Sequence, residues 1–297
     1  MRGVRLYILM ILCMTSVCHS CDKKFTTDIT DNIVVEGWID AGGFPVVILT
    51  QELPVRLKSE RISIVHLSDY VVRWAKVTVS DGEKSVILIG RKDSRYFPGY
   101  VYTTTRMRGE AGKSYTLTVE WQESRLTSTT SIPLYPPVVD SLVCRRVPGD
   151  EGLCNITAFV TNVPGRSEYY KSAFMEGTGQ AQYLSSFLGV VDDALADSVM
   201  SMPIIRTIKD NDKENRTRYF HEDSLVSVKV ATIDRESYVF WKSYANKSDL
   251  NNFMLSSTIG NLPTNINGGI GYWSGYNPFI YTFTVKPGTY PGNRDDQ

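Results

Sequence analysis

Histidine is scarce in this chain, long apolar runs are missing, and neither sign of charge dominates. The 297 residues include only three histidines, His19, His66 and His221, and 32 Lys+Arg stand against 32 Asp+Glu. Histidine is the usual general base and zinc ligand, so so few and such scattered copies argue against a histidine-based centre. His-Glu-x-x-His, Gly-x-Ser-x-Gly and a phosphate-binding glycine loop are also missing, and with them the chemistry those spacings serve. Even charge leaves no basic stripe from which phosphate contacts could release counterions, which excludes nucleic acid as an expected partner. Past the first twenty residues no apolar run approaches the roughly 20 residues that a spanning helix needs. No cofactor and no metal site is expected. Asp210-Asn211-Asp212-Lys213-Glu214 has the look of a calcium loop, but Asn215 replaces the glycine at its sixth position and His221 the acid at its twelfth, so an EF-hand-type site is rejected.

What is present begins at the N-terminus. Met1-Arg2-Gly3-Val4-Arg5 is basic, Leu6 to Val17 is an apolar run of twelve residues, and His19-Ser20-Cys21 leads into polar Asp22-Lys23-Lys24. Twelve residues are too few to span a bilayer, and the layout is that of a cleaved export signal. Cys13 lies inside the apolar run and Cys18 follows bulky Val17, whereas Cys21 follows small Ser20. The expectation is cleavage after residue 20 and a fatty-acyl (palmitate-type) lipid on Cys21, with an unlipidated secretory signal as the alternative. Removing residues 1–20 takes away two arginines and no acid, leaving 30 basic against 32 acidic residues, a formal charge of −2. Membrane contact is then expected through the lipid anchor alone.

Cleavage leaves Cys144 and Cys154 besides Cys21. Between them Arg145-Arg146-Val147-Pro148-Gly149-Asp150-Glu151-Gly152-Leu153 reads as a turn centred on Gly149. A hairpin there sets the cysteines symmetrically on adjacent strands, where facing thiols can meet disulfide geometry in an oxidising compartment. Closing that short loop is worth at most ~3 kcal/mol in the chain-entropy picture. Two buried free thiols are the alternative.

In chain order, residues 21–32 read as a tether. Ile33 to Ile39 and Phe44 to Thr50 read as strands, and Asp81-Gly82 as a two-residue hairpin loop that sets Val77 opposite Val86 and Ala75 opposite Leu88. Tyr115, Leu117, Val119 and Trp121 alternate with polar residues, as in a strand buried on one face. Prolines in residues 133–137 deny the donors a continuing strand needs, so they are placed as a linker between a first β-rich module, 33–132, and a second, 138–286. In the second, Val138 to Val143, Ile156 to Val160, Glu168 to Phe174 and Val226, Val228, Val230 read as strands. Asp234 caps a short helix through Glu236, Tyr238, Trp241 and Tyr244. Phe279, Tyr281, Phe283 and Val285 form a last strand before a polar tail, 287–297. The fold expected is mainly β: two β-sandwich-like modules, immunoglobulin- or transthyretin-like, with one short helix in the second.

This order of features resembles a bacterial lipoprotein family described as domain of unknown function 4249. The resemblance rests on Ser20-Cys21-Asp22-Lys23, on Ile33-Val34-Val35-Glu36-Gly37-Trp38-Ile39, and on Gly112-Lys113-Ser114-Tyr115-Thr116-Leu117-Thr118-Val119. It continues through Pro136-Pro137-Val138-Val139-Asp140-Ser141-Leu142, Pro164 before Tyr169-Tyr170, Asp234 to Trp241, and Gly268-Gly269-Ile270-Gly271-Tyr272-Trp273. It covers nearly the whole chain after the signal; Cys18 and the polar Lys209 to Arg218 stretch depart from it. It implies an outer-membrane, lipid-anchored protein of a Gram-negative envelope with two β-rich parts, often encoded beside a TonB-dependent receptor, and no established activity.

Three sets of residues are candidates for function. Tyr272, Trp273 and Tyr276, laced with Gly268, Gly269, Gly271 and Gly275, could stack on a ligand or anchor a partner; a hairpin whose aromatics fill the second core is the alternative. On the binding reading, Trp273→Ala weakens binding without unfolding. Asp192, Asp193 and Asp197 are the carboxylates a hydrolase could use, against a solvated loop or helix end. Asn155-Ile156-Thr157, Asn215-Arg216-Thr217 and Asn246-Lys247-Ser248 fit an N-glycosylation pattern, and Asp140-Ser141-Leu142, Asp197-Ser198-Val199 and Asp223-Ser224-Leu225 a bacterial O-glycosylation pattern. The leading expectation is a non-enzymatic binding or accessory lipoprotein working with a TonB-dependent receptor in nutrient uptake. A carboxylate-dependent envelope hydrolase and a structural or adhesive envelope component are the alternatives.

Overall fold

The computed structural model describes residues 33–52, 68–166, 168–179, 182–193, 198–207, 217–247 and 262–293. The signal, the tether and Cys21 lie outside the described residues, as do His66, Asp197, residues 209–216 of the polar stretch with Asn215 among them, and Ser248.

The chain is mainly β, with one α-helix among the described residues. Its first half supplies β1 (Ile33–Asp40), β2 (Val46–Gln51), β3 (Lys76–Ser80), β4 (Ser85–Lys92), β5 (Tyr100–Thr103), β6 (Ser114–Trp121) and β7 (Ser124–Ser131). After the prolines come β8 (Val138–Val147), β9 (Asp150–Thr161), β10 (Tyr169–Glu176), β11 (Leu184–Asp192), β12 (Val199–Ile204), β13 (Phe220–His221) and β14 (Leu225–Ile233). Helix α1 (Arg235–Lys247), the long β15 (Ile270–Thr284) and β16 (Gly288–Pro291) complete it. Alternation places the strands where side chains dictate: Tyr115, Leu117 and Val119 of β6 are buried while Ser114 and Thr116 are exposed.

One large sheet runs β11-β10-β14-β15-β1-β2-β5-β4-β3-β6-β7, and a smaller one runs β12-β9-β8-β16 with β13 beside β9. β1 lies parallel to β15, from Val34 opposite Ile270 to Asp40 opposite Tyr276. The proline segment does connect β7 to β8, but the large sheet is continuous past it because β15 returns to β1. Gly271 permits that return: its φ is +112°, and a Cβ there would stand 1.9 Å from the Val35 carbonyl oxygen, a position only glycine can fill.

Two apolar cores are the largest among the described residues. The first gathers β1 to β7 around Trp273, and the sheet curls over it until Thr127 and Asn267 exchange backbone hydrogen bonds of 3.1 and 2.8 Å. The second lies between β10, β14 and the end of β15 on one side and β8, β9 and β12 on the other. Val226, Val228 and Val230 of β14 face this second core, as alternation requires, yet their neighbours Ser227, Lys229 and Ala231 are buried too. β14 is therefore covered on both faces.

Three expectations are corrected. The Asp81 hairpin has a four-residue connection, with Val77 opposite Leu88 and Val79 opposite Val86. Asp81 Oδ1 accepts the N–H groups of Glu83 (3.1 Å) and Lys84 (2.7 Å), which widens the turn; the shift of pairing by two residues leaves every side chain on its expected face. The strand through Phe279 to Phe283 is not the last, since β16, within the polar tail, adds an edge strand to β8. The cysteine hairpin is asymmetric: Cys144 pairs with Ile156 and Cys154 with Arg146, and the register slips between Arg146 and Val147.

Helix α1 starts as expected. Asp234 Oδ1 accepts the Ser237 N–H at 2.9 Å, a cap worth about 1 kcal/mol, while its Oδ2 accepts from Thr130 Oγ1 at 2.6 Å. The cap thus ties the helix to β7, and Phe240 and Trp241 are pressed onto the outer face of the large sheet. No described helix is long and apolar enough to cross a membrane.

Candidate functional site: a charged aromatic cavity

Strand parity builds the site. In β1, Val35 and Ile39 point into the first core, so Glu36, Trp38 and Asp40 point to the opposite face. Their cross-strand partners Tyr272, Ser274 and Tyr276 of β15 follow them, as do Lys229 and Ala231 of β14 and Lys171 and Ala173 of β10. This face carries a cavity of about 360 Å³. Trp241 of α1 roofs one end of it. Arg91, Arg95 and Tyr96, from the end of β4 and the turn after it, stand along the other side.

Inside, the polar groups are held. Lys229 Nζ donates to Asp40 Oδ1 and Oδ2 at 2.7 and 2.6 Å. Glu36 Oε1 accepts from Tyr272 OH at 3.0 Å and from Gln182 Nε2 at 2.9 Å, and Gln182 Oε1 accepts the Phe97 N–H at 3.0 Å. Trp241 Nε1 donates to Tyr276 OH at 3.1 Å. Burial raises the Glu36 carboxyl above its usual range, against the lowering effects of Tyr272, Gln182 and Lys171. Burial also raises the Tyr276 hydroxyl.

Lys171 is the exception. It is 8 % exposed, and among the described residues its ammonium makes no hydrogen bond and no ion pair. Its contacts are the faces of Trp241, 4.1 Å from Nζ to the ring centroid, and Tyr276, at 5.7 Å. Burial and then the neighbouring Lys229 push its pKa down to about 7, with Glu36 and Asp40 opposing. The unfolded chain, with lysine at 10.5, binds the extra proton between those values, so this group makes stability rise with pH from 7 to about 10. Urea midpoints at pH 7 and pH 9 are expected to diverge from those of Lys171→Met, the wild type gaining on the variant at the higher pH. A constant difference would mean that Lys171 titrates like a surface lysine.

At the mouth, Asp93 Oδ2 stands 2.7 Å from Arg95 Nη2 and 3.5 Å from Arg91 Nη2. The hydrogen bond from Arg95 is the main cause that holds the Asp93 carboxyl down at about 2.

The aromatic cluster read from the sequence is split by the sheet. Tyr272 and Tyr276 line the cavity, whereas Trp273, between them, is 0 % exposed in the first core, where its Nε1 donates to the Tyr115 carbonyl at 2.9 Å. Gly37 opposite makes room for it, since a Cβ there would stand 2.8 Å from Trp273 Cε3. Asp192 and Asp193 do not line the cavity. Asp193 is buried and not solvated, its Oδ2 accepting the Glu168 N–H at 2.8 Å. His221 lies on β13 beside the smaller sheet. Among the described residues no group of three or more His, Cys, Asp or Glu is placed to hold a metal ion.

The model of DUF4249, a domain of unknown function, matches residues 22–280. The chain belongs to the DUF4249 family. No match was found among curated proteins. The matched range takes in every cavity residue named above, so the site lies within the DUF4249 region and not in an appended segment.

Sequence reasoning missed Glu36, Asp40, Lys171, Lys229 and Gln182. The signal was a charge inside an otherwise apolar strand, as in Val34-Val35-Glu36 and Val228-Lys229-Val230. Alternation puts those charges on the face away from the core, and nothing local in the sequence tells whether that face meets solvent or a cavity.

Cys144 and Cys154 are free and buried in the second core. Burial, and then the Cys154 thiol beside it, push Cys144 up to about 12. Thiols so protonated are poor nucleophiles. Neither is expected to react with iodoacetamide in the native protein at pH 8 without reductant, and both are expected to react after unfolding, as counted by peptide mass spectrometry. A linked pair in unreduced protein would show instead that the thiols are oxidised.

Proposed function

We propose that this DUF4249 protein is a non-enzymatic binding lipoprotein, anchored by a lipid on Cys21 at the outer membrane, that holds a small polar ligand in the cavity of the large sheet. The observation that carries the binding reading is Lys171. A buried ammonium without an acceptor is costly, and here it borders open space among fixed hydrogen-bonding groups and aromatic walls, the composition of a small-molecule site. Two sandwich-like halves, immunoglobulin- or transthyretin-like in character, serve as rigid supports for the strands that carry it. Delivery to a TonB-dependent receptor in nutrient uptake is the proposed use, on the strength of the family resemblance.

Ligand-detected NMR with a mixed panel of monosaccharides, sugar acids and amino acids tests the cavity. Ser185, cross-strand partner of Ala173, faces the same space, so Ser185→Trp fills it. Saturation transfer to at least one compound with wild type, lost in Ser185→Trp, is the expected result; transfer to none, or equal transfer from the filled variant, overturns the binding reading. Anchoring is checked by labelling with a fatty-acid analogue, which Cys21→Ala should abolish, and the partner by stoichiometric co-purification of a receptor from lipidated cells.

A further inference from the structure

We infer that the ligand of this cavity is a small hydroxylated carboxylate, of the class of a sugar acid, whose carboxylate pairs with Lys171 and one of whose hydroxyls bonds Glu36. This rests on the cavity being a binding site and names what it selects.

The charges count first. Asp40 and Lys229 neutralise one another through two hydrogen bonds, and Asp93 is shared by two arginines at the mouth. Both positions leave no excess of negative charge to receive a cation. Lys171 lacks an anionic hydrogen-bond partner among the described residues, so an incoming anion completes the site and a cation meets Lys171 and Lys229 together. A monoanion fits better than a phosphate. Phosphate sites are built from several converging donors, a guanidinium fork or a helix N-terminus; the two guanidinium groups bordering this cavity, Arg91 and Arg95, are engaged by Asp93, and Lys171 is the interior ammonium without a hydrogen-bond partner among the described residues.

Glu36 supplies the second contact. Both of its protein partners, Tyr272 OH and Gln182 Nε2, bond Oε1, and Oε2 has no partner among the described residues. Burial raises the pKa of this carboxyl, and its open Oε2 is placed to accept a hydrogen bond from a ligand hydroxyl. Tyr276 and Trp241, fixed by their mutual hydrogen bond, form a wall against which the C–H face of a sugar ring can pack.

Protons follow from the same groups. Lys171 faces Glu36 and Asp40 of β1, Lys229 of β14, the hydroxyls of Tyr272 and Tyr276 of β15, and Tyr183 beside Lys229. Of these only the carboxylates favour its charged form, and a bound carboxylate adds to them. Binding above pH 7 must therefore take up a proton at Lys171, and affinity falls as pH rises from 7 to 9.

The test is isothermal titration calorimetry of the full lipidated chain in detergent with D-glucuronate, D-glucose and D-glucosamine. Expected are at least tenfold tighter binding of glucuronate than of glucose, a weakening of glucuronate toward pH 9, and loss of the preference for glucuronate over glucose in Lys171→Met. Lys171→Gln is the second variant should Lys171→Met fail to fold, as judged by near-ultraviolet circular dichroism. Equal affinity for glucose and glucuronate, or a preference kept without Lys171, overturns the carboxylate assignment while the binding reading stands. Tighter binding of glucosamine overturns it in the same way. If none of the three binds, the assignment fails, and the NMR panel decides separately whether the cavity binds anything.

Discussion

Trp273→Ala is expected to destabilise the folded chain by about 3–5 kcal/mol, the range for removing a buried tryptophan or phenylalanine. The indole fills the first core where β15 crosses β1, so its loss leaves a cavity between strands that come from opposite ends of the chain. It also leaves the Tyr115 carbonyl without the indole N–H that reaches it at 2.9 Å. Gly37 cannot compensate, because it has no side chain to move into the vacated space. Guanidinium unfolding followed by far-ultraviolet circular dichroism measures the loss. Trp273→Phe keeps most of the packing and drops the hydrogen bond, so it should cost less, about 1–3 kcal/mol. A Trp273→Ala protein as stable as wild type but deficient in binding would restore the ligand-contact role that sequence reasoning allowed this residue.

Asp40→Ala is the second large effect, about 3 kcal/mol, near the lower end for removing one partner of a buried ion pair because the Asp40 carboxylate is partly accessible. Lys229, its side chain only 7 % exposed, is then left without an acceptor and beside Lys171. The cation–π contacts with Tyr276 at 4.8 Å and Tyr183 at 5.4 Å do not replace two hydrogen bonds. Adding Lys229→Met removes the stranded group, and the double variant is expected to recover most of the loss. The double-mutant cycle then isolates the pairing energy; strict additivity of the two substitutions would show that the pair is not coupled in solution.

Both expectations concern side chains whose surroundings the sequence did not reveal: the strand read there ended at Ile39, one residue before Asp40, and Trp273 was read as part of a ligand-binding cluster or of a hairpin filling the second core, not as part of β15. The alternation of Tyr115, Leu117 and Val119, the Val226-Val228-Val230 stripe and the Asp234 cap were legible because each is a local rule: two-residue period for a strand, a side-chain oxygen for a free helix N–H. The family, too, was legible, since its short motifs follow one another along nearly the whole chain. Trp273 was grouped with Tyr272 and Tyr276 because the three are close in sequence and all aromatic. Adjacent residues of a strand point to opposite faces, and only the pairing of β15 with β1 decided that one face was a core and the other a cavity.

The chain by itself determined several of the strands, the start of the helix and the parity of side chains within them, since these depend on neighbours a few residues away. What covers each face is settled by contacts far apart in sequence, such as Tyr272 with Glu36 across 236 positions. Tertiary structure alone therefore made Glu36, Lys171 and Lys229 the lining of a cavity. It did so because α1 and the turn after β4 cover the outer face of the sheet.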